Sequence, residues 1–182
     1  DPPRHEVLLA DGETLKYDRL IVATGSNSFI PPLPGYGGDG CYVLRAADDA
    51  MDVRSYAQSS AARHAVVAGG GLLGLEAAYA LHKLGLQVTI LERNKWLLNR
   101  QLDERGGHLL ESYLSNLGLR ILTGVQIKAL TRSHGMQYVQ LDEGEPRSAD
   151  LFIVAAGIAP NTSIAIGAGL AVKRGIVVDA QM

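Results

Sequence analysis

A glycine-rich turn constrains this 182-residue chain more than any other feature. It lies between the apolar run 65–68 and a helix-forming stretch, and Gly69, Gly71 and Gly74 give it the spacing Gly-x-Gly-x-x-Gly. In a strand–turn–helix unit, the first glycine permits the tight turn, the second lets backbone approach a pyrophosphate, and the third lets helix pack on strand. The helix N-terminus offers free N–H groups and a positive dipole end to the phosphates. This order of segments predicts a dinucleotide-binding unit.

An acidic residue at the end of the next apolar run supports that prediction. Glu92 follows the run 88–91 and stands eighteen residues beyond Gly74. A carboxylate at about this distance accepts hydrogen bonds from both ribose hydroxyls and repels a 2′-phosphate, which favours NADH. Arg93 is able to accommodate a 2′-phosphate, so NADPH stays open as an alternative. A glycine turn without a ligand is disfavoured, because strand, helix and acid all occur where a nucleotide site needs them.

Composition narrows the classes of function. Seventeen basic and nineteen acidic residues give a net charge of -2 without a dense basic run, so neither nucleic acid nor a membrane surface is an expected partner. No apolar stretch approaches a membrane span and the start lacks a signal-peptide pattern. The single cysteine, Cys41, excludes an internal disulfide framework and suits a reducing cytoplasm, where a part-buried role is favoured over a reactive thiol.

The first 45 residues predict a hairpin, a buried strand and an irregular connector. Asp11-Gly12 separates the runs 6–9 and 14–17 and tolerates the positive φ angles of a tight hairpin turn. The wholly apolar run 20–23 predicts a strand buried on both faces. Prolines and glycines from 31 to 40 predict a stiff connector of the kind found at a domain crossing or linker.

Beyond the connector, helical and apolar segments alternate. Amphipathic spacing predicts three helices: 46–60, 75–84 and 102–117. Apolar runs predict strands at five places: 65–68, 88–91, 119–122, 151–155 and 175–179. Two further runs, 125–130 and 138–141, are predicted to pair around polar turns at 133–135 and 143–144. The alternation predicts an α/β fold with a strand–helix–strand unit as its nucleotide-binding core.

Two apolar runs end in similar tripeptides of small residues, Ala23-Thr24-Gly25 and Ala155-Ala156-Gly157. In an open α/β sheet, ligands gather at the carboxyl ends of strands, where small residues let backbone come close to a flat cofactor. Small residues also close tight turns. The pattern alone therefore leaves both interpretations open.

Three ordered motifs resemble those of the two-dinucleotide flavoprotein reductases, the pyridine nucleotide–disulfide oxidoreductase superfamily. Residues 17–26 are similar to its first Ala-Thr-Gly motif, 69–76 to its NADH-domain fingerprint, and 150–161 to its second such motif. Within the superfamily, 71–78 followed by the Leu-Asp-x-x-Gly-Gly element in 101–107 is similar to NAD(P)H nitrite reductase large subunits and assimilatory nitrate reductase electron-transfer subunits. Ferredoxin and rubredoxin reductases are close neighbours.

The resemblance implies a Rossmann-like NAD(P)H-binding domain over 46–157, with a parallel sheet and an antiparallel β-meander. Parts of an FAD-binding domain flank it at 1–45 and 158–182. The intact protein would pass hydride from NADH to FAD for onward electron transfer to nitrite or nitrate reduction, and a ferredoxin or rubredoxin reductase or an NADH oxidase-type flavoprotein is the alternative. A non-catalytic NADH-sensing module is the alternative from another class.

The resemblance also implies that the chain is a fragment. Its partners would be the missing FAD-domain and C-terminal parts of its own chain and a downstream electron acceptor. The fragment alone is expected to hold no FAD and to be inactive as an enzyme. Exposed strand edges in the flanking pieces leave a homodimer open.

The candidate site residues have implied roles by resemblance. Backbone around the NADH pyrophosphate is assigned to the turn and helix start: Gly69, Gly71, Leu72, Leu73 and Gly74. Both leucines are also candidates for core packing. Glu76 approaches the nicotinamide carboxamide, although an acid in the first helical turn is also favoured by the dipole.

The remaining assignments concern the two tripeptides. Ala156, Gly157 and Ile158 pass the nicotinamide, and Thr24 and Gly25 contact FAD in the intact enzyme. No catalytic side chain is assigned, because hydride transfer depends on cofactor positioning. The histidines are scattered without ligand spacing, so no metal site is expected: His5, His64, His82, His108 and His134.

Overall fold

The computed structural model describes residues 1–60, 62–133 and 136–181, so the predicted turn at His134 and Gly135 lies outside the described residues. The chain divides into two compact units. We call Ser28–Gly157 the internal unit, and Asp1–Asn27 with Ile158–Met182 the terminal unit.

The described residues form four α-helices, a short 3₁₀ helix and twelve strands. The helices are α1 (Ala47–Ser59), α2 (Leu72–Lys83), α3 (Glu104–Asn116), α4 (Ser163–Gly167) and the 3₁₀ helix Pro2–Arg4. The strands are β1 (Glu6–Leu8), β2 (Thr14–Lys16), β3 (Ser26–Ser28), β4 (Cys41–Val43), β5 (His64–Ala68), β6 (Gln87–Glu92), β7 (Arg120–Thr123), β8 (Ile127–Ser133), β9 (Met136–Leu141), β10 (Arg147–Ala149), β11 (Leu151–Val154) and β12 (Ile158–Pro160).

A parallel sheet forms the centre of the internal unit. Its order is β4-β11-β5-β6-β7, and each neighbouring pair runs parallel. Helix α2 connects β5 to β6 and α3 connects β6 to β7, as parallel neighbours require a crossover. The predicted α/β, Rossmann-like fold class is confirmed. Edge strand β4 was not predicted, because its three residues follow the glycine-rich connector without an extended apolar pattern.

The side chains of β5 alternate between two apolar layers. Ala65 and Val67 pack with residues of α1, α2 and α3, whereas Val66 and Ala68 pack on the opposite face with residues of β8, β9 and β10. A strand covered on both faces gains from an apolar residue at every position. This double cover explains why the strand before the glycine turn is apolar without alternation.

The antiparallel sheet β10-β9-β8 supplies the cover of the second face. Pairing of β8 with β9 confirms the prediction for 125–130 and 138–141, whereas the short polar strand β10 was not predicted. The connector has no regular element, as expected, yet it is packed: Leu33 and Tyr36 join the apolar layer, and the Leu130 N–H donates to the Pro34 carbonyl oxygen at 2.8 Å.

The three predicted helices are confirmed, with shifted ends. The Asp49 carboxylate accepts from the N–H groups of Arg45 and Ala46 and so stabilises the start of α1. Helix α2 begins three residues before the predicted start. Asp103 caps α3 by accepting from the Gly106 N–H at 2.8 Å. None of the helices in the described residues has the length and apolar character needed to cross a membrane.

In the terminal unit the predicted hairpin is confirmed, whereas two predicted strands are wrong. Strands β1 and β2 pair antiparallel around a turn in which Gly12 has φ +89°. The runs 20–23 and 175–179, in contrast, form no strand. Ile21 is 89% exposed and Val178 58% exposed. A doubly buried strand requires neighbours on both edges and apolar cover on both faces, and the described residues provide neither for these runs.

Candidate functional site

Gly69 and Gly74 must be glycine because another stretch of backbone lies where a Cβ would be. Gly69 has φ +128°, and a Cβ there would overlap the Ala155 carbonyl oxygen at the end of β11. A Cβ at Gly74 would overlap the Gly69 carbonyl oxygen and lie 3.3 Å from the Ala155 side chain. These two positions bring α2 against the carboxyl ends of β5 and β11.

Gly71 differs, because the chain's own packing does not demand glycine there. Its backbone is extended (φ -83°, ψ 178°), and a Cβ would meet nothing within 4 Å. Gly71 precedes α2 directly, and the first helical hydrogen bond runs from the Leu75 N–H to the Gly71 carbonyl oxygen at 3.0 Å. The N–H groups of Leu72 and Leu73 thus lie ahead of the helical ladder, as at any helix start. The turn is open where a pyrophosphate would approach.

The first turn of α2 corrects two interpretations. Leu72 is 61% exposed and Leu73 is 47% exposed, so core packing is wrong for both side chains. Glu76 is the fifth residue of α2 and lies beyond its first turn, so stabilisation by the N-terminal dipole does not explain this acid. Its side chain is exposed. The nucleotide contacts of these three residues stay predictions.

Glu92 lies at the end of β6, beside the glycine turn. The residue is 8% exposed, and its Oε2 accepts from the Gly70 N–H at 2.6 Å. Oε1 accepts from the backbone N–H of Asn94 at 2.7 Å and from its Nδ2 at 2.5 Å. Three donors compensate the burial of this carboxylate. Arg93, next in the chain, is exposed.

Gly70 is a site residue that the motif does not identify. A Cβ there would lie 2.6 Å from Leu97 Cδ2 and 3.1 Å from Glu92 Oε2. Its carbonyl oxygen accepts from the Leu98 N–H at 3.0 Å, and Leu98 has φ +51°. The segment from Glu92 to Leu98 therefore binds both backbone groups of Gly70. The sequence indicated Gly70 only through the run of three glycines at 69–71, of which the motif requires the first and the third.

The second tripeptide lies next to the same turn. The Ala155 N–H donates to the Ala68 carbonyl oxygen at 2.9 Å, which continues the pairing of β11 with β5. A Cβ at Gly69 would lie 3.5 Å from the Ala156 nitrogen. Ala156 and Gly157 are exposed, and Gly157 has φ +109°. Ile158, the first residue of β12, belongs to the terminal unit and is exposed.

The first tripeptide is held within the terminal unit by Asn161. Thr24 Oγ1 donates to the Asn161 carbonyl oxygen at 2.6 Å, and Asn161 Nδ2 donates to the Thr24 carbonyl oxygen at 2.9 Å. The Asn161 N–H donates to the Gly25 carbonyl oxygen at 2.9 Å, and Gly25 has φ +68°. Asn161 closes the second motif in the sequence, but its spacing gave no sign of this contact. The role of Thr24 and Gly25 towards FAD stays a prediction.

The Leu-Asp-x-x-Gly-Gly element supports α3. Asp103 caps the helix, and a Cβ at Gly107 would lie 2.5 Å from Trp96 Cδ1. The Trp96 indole N–H donates to the Leu102 carbonyl oxygen at 3.1 Å. The element thus fixes the tryptophan that precedes Leu97, whose buried side chain packs on the glycine turn.

Titratable groups away from the turn have structural partners. Asp150 Oδ2 accepts from the N–H groups of Arg63 and His64, each at 2.9 Å, and lies 3.5 Å from His64 Nδ1. Burial acts to raise the pKa of Asp150, but these hydrogen bonds and the His64 ring outweigh it and hold the pKa below its ordinary value. Cys41 is partly buried, forms no disulfide, and its thiol donates to Gln137 Oε1 at 3.5 Å. No group of three or more potential metal ligands occurs among the described residues, which do not include His134.

Known proteins of nitrate and nitrite reduction are similar to nearly the whole chain. It is 36% identical over 179 residues to an assimilatory nitrate reductase electron transfer subunit of Bacillus subtilis, covering 98% of this chain and 23% of that protein. It is 37% identical over 174 residues to a nitrite reductase [NAD(P)H] large subunit of Klebsiella oxytoca, covering 94% of this chain and 18% of that protein. The chain thus spans less than a quarter of either relative.

Structural similarity extends over both units. A ferredoxin reductase from Rhodopseudomonas palustris superposes with a TM-score of 0.92 and 29% sequence identity, covering 100% of this chain and 45% of that one. Residues 1–182 match the family described as pyridine nucleotide-disulphide oxidoreductase. Because the match includes every residue, the chain belongs to the pyridine nucleotide-disulphide oxidoreductase family.

Proposed function

We propose that the glycine turn binds NADH and that the protein delivers its electrons to a flavin. The observation that carries this proposal is the open space at Gly71, between two glycines that packing requires. A residue that the fold does not need as glycine, at the mouth of a helix N-terminus, suits close approach by a ligand's pyrophosphate. The Glu92 carboxylate lies against the same turn.

The proposed contacts divide between backbone and side chain. Backbone of Gly69, Gly71 and Gly74, with the N–H groups of Leu72 and Leu73, holds the pyrophosphate. Glu92 accepts a hydrogen bond from the adenosine ribose, and its negative charge disfavours a 2′-phosphate. The exposed Arg93 is the residue that would accommodate that phosphate, so NADPH remains the weaker alternative.

The nicotinamide end is assigned to residues beyond the turn. Ala156, Gly157 and Ile158, together with Glu76, would line it, and Thr24 with Gly25 would contact FAD. When bound, NADH supplies a hydride and FAD accepts it. The chain's part in that chemistry is to hold both groups in place and keep solvent away.

The proposal for the whole protein extends beyond this chain. Residues 46–157 would be the NADH domain, and residues 1–45 and 158–182 would contribute to an FAD domain. The whole protein would act in the cytoplasm. The names of the relatives, an electron transfer subunit and a nitrite reductase, support onward transfer to a reductase centre. A ferredoxin is the alternative acceptor, since the structural neighbour is a ferredoxin reductase.

A glycine-to-alanine pair tests the nucleotide site. The 182-residue chain is titrated with NADH, and binding is followed by nucleotide fluorescence for the wild type, Gly71→Ala and Gly167→Ala. Gly167 is the matched control, because a Cβ there also meets nothing within 4 Å. We expect Gly71→Ala to weaken binding about tenfold or more, a loss of about 1.4 kcal/mol, with an unchanged melting temperature.

Two results would contradict the proposal. Equal NADH affinity in the wild type and Gly71→Ala would show that no ligand approaches this position. Full-length protein that contains no flavin, or whose flavin absorbance is not bleached by NADH, would favour the non-catalytic sensing module instead.

A further inference from the structure

We infer that Asn94 is a positioning residue that sets the preference for NADH over NADPH by fixing the Glu92 carboxylate against the glycine turn. The inference rests on the proposed NADH site and concerns how that site discriminates between the two nucleotides. Asn94 lies outside the glycine motif, and spacing does not identify it.

The hydrogen bonds leave the carboxylate little freedom. A carboxylate has about four acceptor positions, two on each oxygen. Asn94 fills both positions of Oε1, through its backbone N–H at 2.7 Å and its Nδ2 at 2.5 Å. Gly70 fills one position of Oε2 at 2.6 Å. Within the described part of the chain, these bonds leave one acceptor position, on Oε2, so Glu92 would accept from one ribose hydroxyl rather than from both through separate oxygens.

Asn94 is itself held in place. Its carbonyl oxygen accepts from the Gly124 N–H at 2.9 Å, and the Glu92 carbonyl oxygen accepts from the Val125 N–H at 3.2 Å. The loop after β7 thus anchors the backbone on which the amide side chain is mounted. An anchored donor restrains its acceptor, and the negative charge stays at the turn.

The neighbouring charges explain why the restraint affects specificity. Asn94 lies between two exposed cations, Arg93 and Lys95. Without the Asn94 amide, only the backbone N–H groups of Gly70 and Asn94 hold the Glu92 carboxylate, and it is less restrained against turning towards these cations. The charge that repels a 2′-phosphate would then leave the turn, while Arg93 would remain available to bind that phosphate.

The test compares nucleotide preference, not binding alone. Dissociation constants for NADH and NADPH are measured on the 182-residue chain for the wild type, Asn94→Ala, Asn94→Ser and Asn99→Ala, with a melting curve for each. Asn99 is the matched control, an exposed asparagine of the same loop. We expect Asn94→Ala to reduce the NADH preference about tenfold, the factor for one charge-assisted hydrogen bond. Asn94→Ser should restore part of it through its hydroxyl.

Each outcome separates this inference from the proposed function. A wild type that does not bind NADH would overturn the NADH site itself. An unchanged preference in Asn94→Ala, or an equal loss of affinity for both nucleotides, would overturn the role of Asn94 and leave the NADH site standing. If Asn94→Ala is too unstable to titrate, Asn94→Ser must show the intermediate preference, and a wild-type ratio in that variant would overturn the inference.

Discussion

The internal and terminal units contain the same kind of apolar run with opposite results. Val67, Ile90 and Ile153 of the internal unit are 0% exposed, whereas Ile21 of the terminal unit is 89% exposed. Residue type does not account for the difference, since all four are β-branched and favour extended backbone. In the internal unit, neighbouring strands occupy both edges and apolar layers cover both faces. The contrast shows that such a run becomes a buried strand only when its partners are present.

Truncation of one isoleucine in each unit should give the largest difference in stability. Ile153→Ala removes buried methyl groups from the centre of the parallel sheet, and we expect it to lower the free energy of unfolding by about 2–5 kcal/mol. Ile21→Ala removes an exposed side chain and should change it by less than about 0.5 kcal/mol. Urea unfolding of both variants, followed by Trp96 fluorescence, measures the difference. Similar losses would mean that residue 21 is buried in solution.

The contact between Gly107 and Trp96 tests how tightly the internal unit is packed. Alanine at 107 would force the indole aside, at a cost of about 1–3 kcal/mol for overpacking. Its better helix propensity offsets about 1 kcal/mol of that cost. We expect a net loss of up to about 2 kcal/mol. Because Trp96 is the only tryptophan of the chain, its emission should move to longer wavelength as the ring becomes more exposed to water.

The parts of the fold that were predictable from sequence are those specified by local pattern. The glycine spacing and the apolar runs predicted β5, α2 and β6, and the distance to Glu92 predicted its place beside the turn. The edge strand β4 and the polar strand β10 were not predictable, because three-residue strands owe their conformation to neighbours distant in sequence.

The site shows the same division. Gly69 and Gly74 follow from the motif, since the turn and the packing of α2 require them. The bonds from Gly70 and Asn94 to Glu92 depend on the path of the loop after β6, which no local pattern specifies. The structure also showed that Leu72 and Leu73 are exposed, where apolar character alone allowed core packing.

A change of pH tests the electrostatic anchoring of the internal unit. Asp150 joins the starts of β11 and β5, and its pKa is lowered in the folded state. Its ionised form therefore stabilises the fold fully above the ordinary value of 3.8, and this contribution is lost as pH falls through the lower folded pKa. We expect Asp150→Asn to lose about 1–2 kcal/mol at neutral pH. The gap to wild type should narrow below pH 3.8, and a gap independent of pH would contradict this role.

The smallest expected effect concerns the terminal unit, where hydrogen bonds hold Thr24 to Asn161. Asn161→Ala removes two side-chain hydrogen bonds, each at 2.9 Å: the one that Asn161 Nδ2 donates to the Thr24 carbonyl oxygen and the one that Asn161 Oδ1 accepts from Asn27 Nδ2. It keeps the two bonds made by the Asn161 backbone. We expect a local loss of about 1 kcal/mol, seen as roughly fivefold faster hydrogen exchange of the residue 161 amide, which donates to Gly25. Asn27→Ala, which removes only one of the two side-chain bonds, should give a smaller change. Amide exchange in β5 and β6 should stay at the wild-type rate in both variants, because their apolar layers contain neither asparagine. Faster exchange there would mean that stability is shared between the units.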